Sequence, residues 1–179
     1  NGWREDWLKR LEAEPFHAPG WASHQARDAY WKHGSICEDW ERMTVPILSY
    51  GGWNDNYMNT VAKLMENARG PVMGIIGPWV HQYPHTAVPG PKIGFLQLAV
   101  QWWDRWLKGI ENGAEDDPAL RAYMLRSAPP NPSAAHRDGH WIAEAEWPSP
   151  RVSRRVMLVS DAGLSVAGPL SASVCTPQH

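Results

Sequence analysis

Two residues of this sequence are placed to share a proton. Asp55 ends the run Gly51-Gly52-Trp53-Asn54-Asp55, and His81 ends Gly77-Pro78-Trp79-Val80-His81, 26 residues further on. A carboxylate that accepts an imidazole N–H fixes the ring tautomer and stabilises the imidazolium formed when the other nitrogen takes a proton, which is the work of a general base. Each residue alone has a plainer reading. An aspartate after a strand is usually a helix cap, and a histidine in a Pro/Gly loop is usually a surface residue. Their joint placement is what points to chemistry, and it depends on the elements that carry them.

Val45-Pro46-Ile47-Leu48-Ser49-Tyr50 is a short apolar run stopped by two glycines, the pattern of a strand buried on both faces. Residues 57–67 change period, with Tyr57, Val61, Leu64 and Met65 on one helical face and Asn54 or Asp55 available as the cap. Pro71-Val72-Met73-Gly74-Ile75-Ile76 is a second buried strand, closed by Gly77-Pro78. Strand, helix, strand predicts a βαβ unit with parallel strands. Neighbouring parallel strands lie about 5 Å apart, so the loops after their carboxyl ends meet. Asp55 and His81 stand on those two loops. The expected fold class is α/β.

Upstream, Trp7, Leu8 and Leu11 recur at helical spacing, and Ser23 is a candidate cap for a second helix running to Lys32 and stopped by Gly34. Downstream, a Pro/Gly-rich loop over 77–91 leads to a helix over about 93–108, stopped by Gly109. Its stripe of Phe95, Ala99, Trp102, Trp103, Trp106 and Leu107 is expected to pack on the sheet. An acidic linker over 111–118 follows. Beyond it, residues 120–125, 140–145 and 156–159 are strand candidates between Pro, Gly and Asn clusters. The predicted boundary lies near Asp117, with domains over 1–117 and 118–179. The second reads as the start of an all-β sandwich too short to close.

Composition removes several classes. With 17 basic and 19 acidic side chains the net charge is −2, so a basic nucleic-acid scaffold is not expected. No stretch approaches about 18 consecutive apolar residues, so no membrane span is expected, and the first residues carry no leader pattern. Cys37 and Cys175 match no metal spacing and fit either a reducing compartment such as the cytoplasm or two incidental buried thiols. His81 and His85 are four apart with Pro84 between them and no third ligand at sensible spacing, so no metal is expected. No glycine-rich nucleotide signature occurs, and no cofactor is expected. His17, His24 and His33 read as exposed polar positions, and Arg151, Arg154 and Arg155 as a solvated face. The chain carries 12 tryptophans. Trp102, Trp103 and Trp106 read as packing. Trp53 and Trp79, beside the acid and the base, either wall a substrate-binding acyl pocket or anchor two strand ends.

Several segments in order resemble the CocE/NonD hydrolases, the family of bacterial cocaine esterase and the X-Pro dipeptidyl-peptidase relatives. They are Gly-Gly-Trp-Asn-Asp-Asn-Tyr at 51–57, Gly-Pro-Trp-Val-His at 77–81, Pro-Gly-Pro-Lys-Ile-Gly-Phe at 89–95 and Trp-Trp-Asp-Arg-Trp-Leu-Lys-Gly at 102–109. His140-Trp141, Trp147-Pro148 and Leu158–Ser165 resemble the entry into that family's C-terminal jelly roll. The order acid then histidine is also that of α/β-hydrolases. The resemblance implies that Asp55 and His81 are acid and base of a Ser-Asp-His triad and that residues up to about 42 end a helical cap. It also implies an α/β-hydrolase fragment followed by an incomplete jelly roll.

The nucleophile of the family lies in an upstream G-x-S-Y-x-G elbow, and no G-x-S-x-G occurs in these 179 residues. Ser49-Tyr50-Gly51-Gly52 mimics half of it, but the place two before the serine, which must be small for the turn, is Ile47 inside a strand. Ser49 therefore reads as strand packing. The expected function is that of a piece of a serine hydrolase for ester or amide bonds, Xaa-Pro dipeptidyl bonds included. The chain supplies the acid and base, needs the missing N-terminal part of the catalytic domain for serine and oxyanion hole, and is inactive alone. Tyr57 and Met58 stand where amino-acid ester hydrolases of the family carry carboxylates, which argues against that way of binding an α-ammonium. The rival is a non-catalytic, Trp-rich carbohydrate- or protein-binding module, and the Asp55–His81 separation discriminates between the two.

Overall fold

The apolar runs at 47–52 and 72–77 form two parallel strands in register, and the glycines that end both runs lie opposite each other. A computed structural model describes residues 2–153, 155–160 and 163–166. Strand β1 (Ile47–Gly52) pairs with β2 (Val72–Gly77) from Ile47↔Val72 to Gly52↔Gly77. Helix α4 (Asn59–Asn67) makes the crossover, following α1 (Trp3–Ala13), α2 (His17–Ser23) and α3 (Ala29–His33). Helix α5 (Phe95–Lys108) crosses from β2 to β3 (Leu120–Leu125), which is again parallel, and β4 (Gly139–Glu144) closes the sheet antiparallel, in the order β1-β2-β3-β4. The α/β expectation holds.

Period-2 alternation on β2 explains the two faces. Met73 and Ile75 join Trp79, Ala87 and Trp102 on the α5 side, while Ile76 joins Val61, Leu120 and Ala122 on the α4 side. Gly74 stands between them on the α4 face, where any Cβ would strike Val61 and Met65, so the helix sits close on the strand. Among the described strands β1 pairs only with β2, and several of its residues are half-buried rather than enclosed on both faces as expected.

The strands at 120–125 and 139–144 belong to this sheet, so the boundary expected near Asp117 does not part them from it. Pairing of Gly74–Ile76 with Leu120–Ala122 is a long-range hydrogen-bond match that turn-rich local texture cannot announce. The chain instead divides into a unit of residues 1–45 with 68–70 and a unit of 46–67 with 71–179. Strands β5 (Met157–Ser160) and β6 (Gly163–Val166) form a separate antiparallel pair. The acidic linker is not loose: Glu115 pairs with Arg105 at 2.8 Å, Asn112 donates to the Gln101 carbonyl at 2.8 Å, and Ala114 is buried.

Three local expectations shift. Ser23 is the last residue of α2, and the cap of α3 is Asp28, which accepts from the Tyr30 N–H at 3.0 Å. Gly34 does stop α3. On α5, Phe95, Ala99 and Trp102 are buried and Trp106 packs beside them, whereas Trp103 and Leu107 are exposed. Each residue turns a helix by about 100°, which rotates 103 and 107 away from the line through 95, 99, 102 and 106. Arg151 is exposed, as a solvated face requires, yet it also grips the buried Glu144 through Nε at 3.1 Å and a second nitrogen at 2.7 Å, while the Ser149 hydroxyl donates to the same carboxylate at 2.7 Å. Those bonds, Ser149 first and Arg151 second, hold the Glu144 carboxyl below its usual range.

Cys37 is exposed rather than buried, with the Arg27 guanidinium against its sulfur, and Cys175 lies outside the described residues, as does Arg154. His17 and His24 take up exposed contacts with Glu14 and Asp28. No described helix is long and apolar enough to cross a membrane.

Candidate active site

Three hydrogen bonds sew the loop after β1 to the loop after β2. The Trp53 N–H donates to the Gly77 carbonyl at 2.9 Å, the Asn54 N–H to the Trp79 carbonyl at 3.1 Å, and the Asn54 side-chain amide to the Pro78 carbonyl at 2.8 Å. The loops approach so closely that a Cβ on Gly52 would collide with the Trp79 carbonyl. Glycine is therefore required there by contact, not by a special φ. Gly52→Ala is expected to cost about 1–3 kcal/mol through this backbone clash. A denaturant melt measures it, and an unchanged midpoint would mean that the loops do not need this contact.

Asp55 is fixed on the first loop. Its Oδ1 accepts the Tyr57 N–H at 2.9 Å in an Asx turn, and its own N–H donates to the Gly52 carbonyl at 3.0 Å. The turn ends before α4 begins at Asn59, so Asp55 does not cap the helix. Its second oxygen, Oδ2, lies 2.9 Å from Nδ1 of His81. The carboxylate side chain is 9% exposed, while the imidazole is 77% exposed. The acid is thus sheltered and the base presented.

The electrostatics agree. The Tyr57 N–H first, and the His81 imidazole after it, outweigh burial and hold the Asp55 carboxyl below the ordinary aspartate value. An ionised carboxylate only accepts, so the proton between the two residues belongs to Nδ1 of His81, leaving Nε2 with its lone pair. The stability this pair contributes is present above the aspartate value of the unfolded chain, about 3.9, and is lost as pH falls through the depressed folded value. Tyr57 places its ring 5.4 Å from the imidazole.

A cleft of about 360 Å³ opens beside the pair, lined by Tyr50, Gly51, Gly52, Asp55, Val80, His81, Gln82 and Tyr83. Neither Trp53 nor Trp79 is on its wall. Trp79 is 1% exposed, sits in the core under Gly77 and donates its indole N–H to the Pro91 carbonyl at 2.8 Å. Trp53 is half-buried and donates to the Tyr123 carbonyl at 2.6 Å. Of their two readings, the anchoring one describes where they lie. Ser49 is buried mid-strand in β1, three residues before its end, far from the turn an elbow requires. Sequence reasoning passed over Tyr50 and Tyr83. The available signal was their spacing, each two residues from Gly52 or His81 on the same strand or loop.

Residues 2–83 match the X-Pro dipeptidyl-peptidase (S15 family). That span carries Asp55 and His81 together with the whole of β1, α4 and β2. Over this stretch, less than half of the chain, the sequence is similar to the S15 family. A CocE/NonD family hydrolase from Staphylococcus aureus has the same fold in two crystal structures. One superposes with a TM-score of 0.62 at 14% identity, covering 82% of this chain and 25% of that one. The other superposes with a TM-score of 0.56 at 14% identity, covering 80% and 24%. At such identity the likeness is one of fold. The chain spans about a quarter of the length of that hydrolase. No curated protein matches it in sequence. Among the described residues no cluster of His, Cys, Asp and Glu is suited to a metal ion.

Proposed function

We propose that the chain is the acid-and-base part of a serine hydrolase that cleaves ester or amide bonds, Xaa-Pro peptide bonds included, by acyl transfer. The observation that carries this reading is the 2.9 Å contact between Asp55 Oδ2 and His81 Nδ1. A module that merely holds carbohydrate or a protein chain has no use for a sheltered carboxylate gripping an exposed imidazole.

The serine comes from outside these 179 residues. The sequence has no G-x-S-x-G, Ser49 is buried within a strand, and the family carries its elbow upstream. In the first half-reaction the serine Oγ attacks the substrate carbonyl as Nε2 of His81 takes its proton, and the imidazolium is stabilised by Asp55. His81 then delivers that proton to the leaving alcohol or amine. In the second half-reaction water replaces the serine, with His81 again as base, and the free acid and the serine are restored. The acid and base lie on loops that the sheet holds in register, so the histidine arrives with its tautomer already set. The β5–β6 pair, by the same family likeness, begins the jelly roll.

A serine-directed fluorophosphonate tests the assignment. The longer protein that includes the upstream elbow is expected to take one covalent adduct, at a serine preceding residue 1, and the isolated chain none. Peptide mapping of an adduct to Ser49, or to any other serine of this chain, would overturn the placement of the nucleophile.

A further inference from the structure

We propose that Gln82 is a positioning residue for His81: its side chain accepts the Val88 N–H, closes the loop that carries the histidine, and so sets where the imidazole stands. The proposal rests on the hydrolase reading above and deepens it by naming a residue that acts on proton transfer only through the base.

The His81 side chain is 77% exposed, so packing does little to hold it. Asp55 fixes one ring nitrogen, and the rest of the placement falls to the backbone at 80–82. Val88 pins that backbone on both sides of the histidine. The Val80 N–H donates to the Val88 carbonyl at 2.9 Å, and the Val88 N–H donates to Gln82 Oε1 at 3.3 Å. Between these two bonds the Gln82 N–H donates to the Val80 carbonyl at 2.7 Å, which closes a three-residue turn with His81 at its centre. In a strand pair a second backbone carbonyl would receive the Val88 N–H. Here the Gln82 amide oxygen takes that place.

Val88 is itself a fixed point. Ala87, just before it, is 0% exposed and lies in the cluster of Met73, Ile75, Trp79 and Trp102. The Thr86 and Ala87 N–H groups both donate to the Tyr83 carbonyl at 2.9 Å, and the Ile93 N–H donates at 3.3 Å to the carbonyl of Pro84, which is fully buried. The core therefore holds residues 84–88, and through Gln82 that hold reaches back to the histidine. Gln82 is exposed, so exchanging it removes no core packing. What the exchange removes is the acceptor, and the stretch after His81 loosens. Misplacing a catalytic group by about 1 Å costs on the order of 100-fold in rate, and a loosened loop is displaced for only part of the time, so a smaller loss is expected.

The test uses the longer, serine-bearing protein with p-nitrophenyl acetate as the ester and compares Gln82→Met, which keeps the length but has no amide oxygen, with Gln82→Glu, which keeps an acceptor. Gln82→Met is expected to lower kcat on the order of 10-fold with KM and the melting midpoint little changed, because His81 is the base in both half-reactions. Gln82→Glu should recover most of that loss. Hydrogen–deuterium exchange at the Val88 amide reads the bond without turnover: it should quicken in Gln82→Met and slow again in Gln82→Glu. Wild-type kcat in Gln82→Met, beside an inactive His81→Ala, overturns the positioning role and leaves the hydrolase reading standing. Unaltered Val88 exchange in Gln82→Met overturns it as well, and so does a Gln82→Glu variant that restores the exchange but not kcat. Full activity in His81→Ala would overturn the hydrolase reading, and the positioning role with it.

Discussion

Asp55→Asn in the proposed serine-bearing parent is expected to lower kcat by about 10⁴, by analogy with the same exchange in serine proteases. The loss has a specific origin. Oδ1 of Asp55 accepts the Tyr57 N–H, an interaction an Asn carbonyl oxygen reproduces, so the Asx turn and the fold should survive. The other arm changes from acceptor to donor. An amide NH2 facing Nδ1 of His81 favours the tautomer with its proton on Nε2, the nitrogen that receives the serine proton in the proposed mechanism. KM and the denaturation midpoint should move far less than kcat. The depressed Asp55 carboxyl means that, in the wild type, loss of activity on mild acidification is not protonation of this group. Steady-state kinetics on the purified variant decide the matter: turnover near that of the wild type would remove Asp55 from the mechanism.

Trp79→Ala is expected to destabilise the protein by about 3–5 kcal/mol, the cost of emptying a fully buried aromatic site. Trp79 is 1% exposed and joins Met73, Ile75, Ala87 and Trp102 in one cluster, with Gly77 lying on its ring. Its indole N–H also satisfies the Pro91 carbonyl, tying the end of β2 to the segment that leads into α5. Trp79→Phe keeps most of the apolar contact and loses that hydrogen bond, so its effect should be smaller. Urea unfolding of the two variants measures both. A loss below about 1 kcal/mol for the alanine would be incompatible with a packed site of this size. Because His81 follows Trp79 by two residues, activity should fall with the same substitution even where the protein remains folded.

The difference between these two tryptophan-bearing loops and α5 shows how far sequence patterns reach. The βαβ unit was legible because both strands are continuous apolar runs ended by glycine, and because the helix between them repeats its apolar residues at helical spacing. The Asp55–His81 pair was legible for a further reason: parallel pairing of adjacent strands forces the loops after them together, whatever the side chains. The stripe on α5 was read too broadly, since a sequence rich in Trp and Leu cannot say which of two adjoining apolar lines faces the sheet. Trp53 and Trp79 lie off the cleft wall, and each indole N–H meets a backbone carbonyl inside the protein, a pairing set by three-dimensional position alone.

By itself, then, the sequence determined the period of each element, the parallel sense of β1 and β2, and hence the common rim on which a carboxylate and an imidazole meet. These follow from local periodicity and from the handedness of the crossover, both short-range properties of the chain. Only the tertiary structure decided that β3 and β4 extend the same sheet, that Glu144 and Arg151 are partners, and that tyrosines rather than tryptophans face the cleft. Each of those joins residues of separate elements or leaves a choice between faces, and the choice is made by which surfaces and hydrogen-bond partners the folded chain brings into reach.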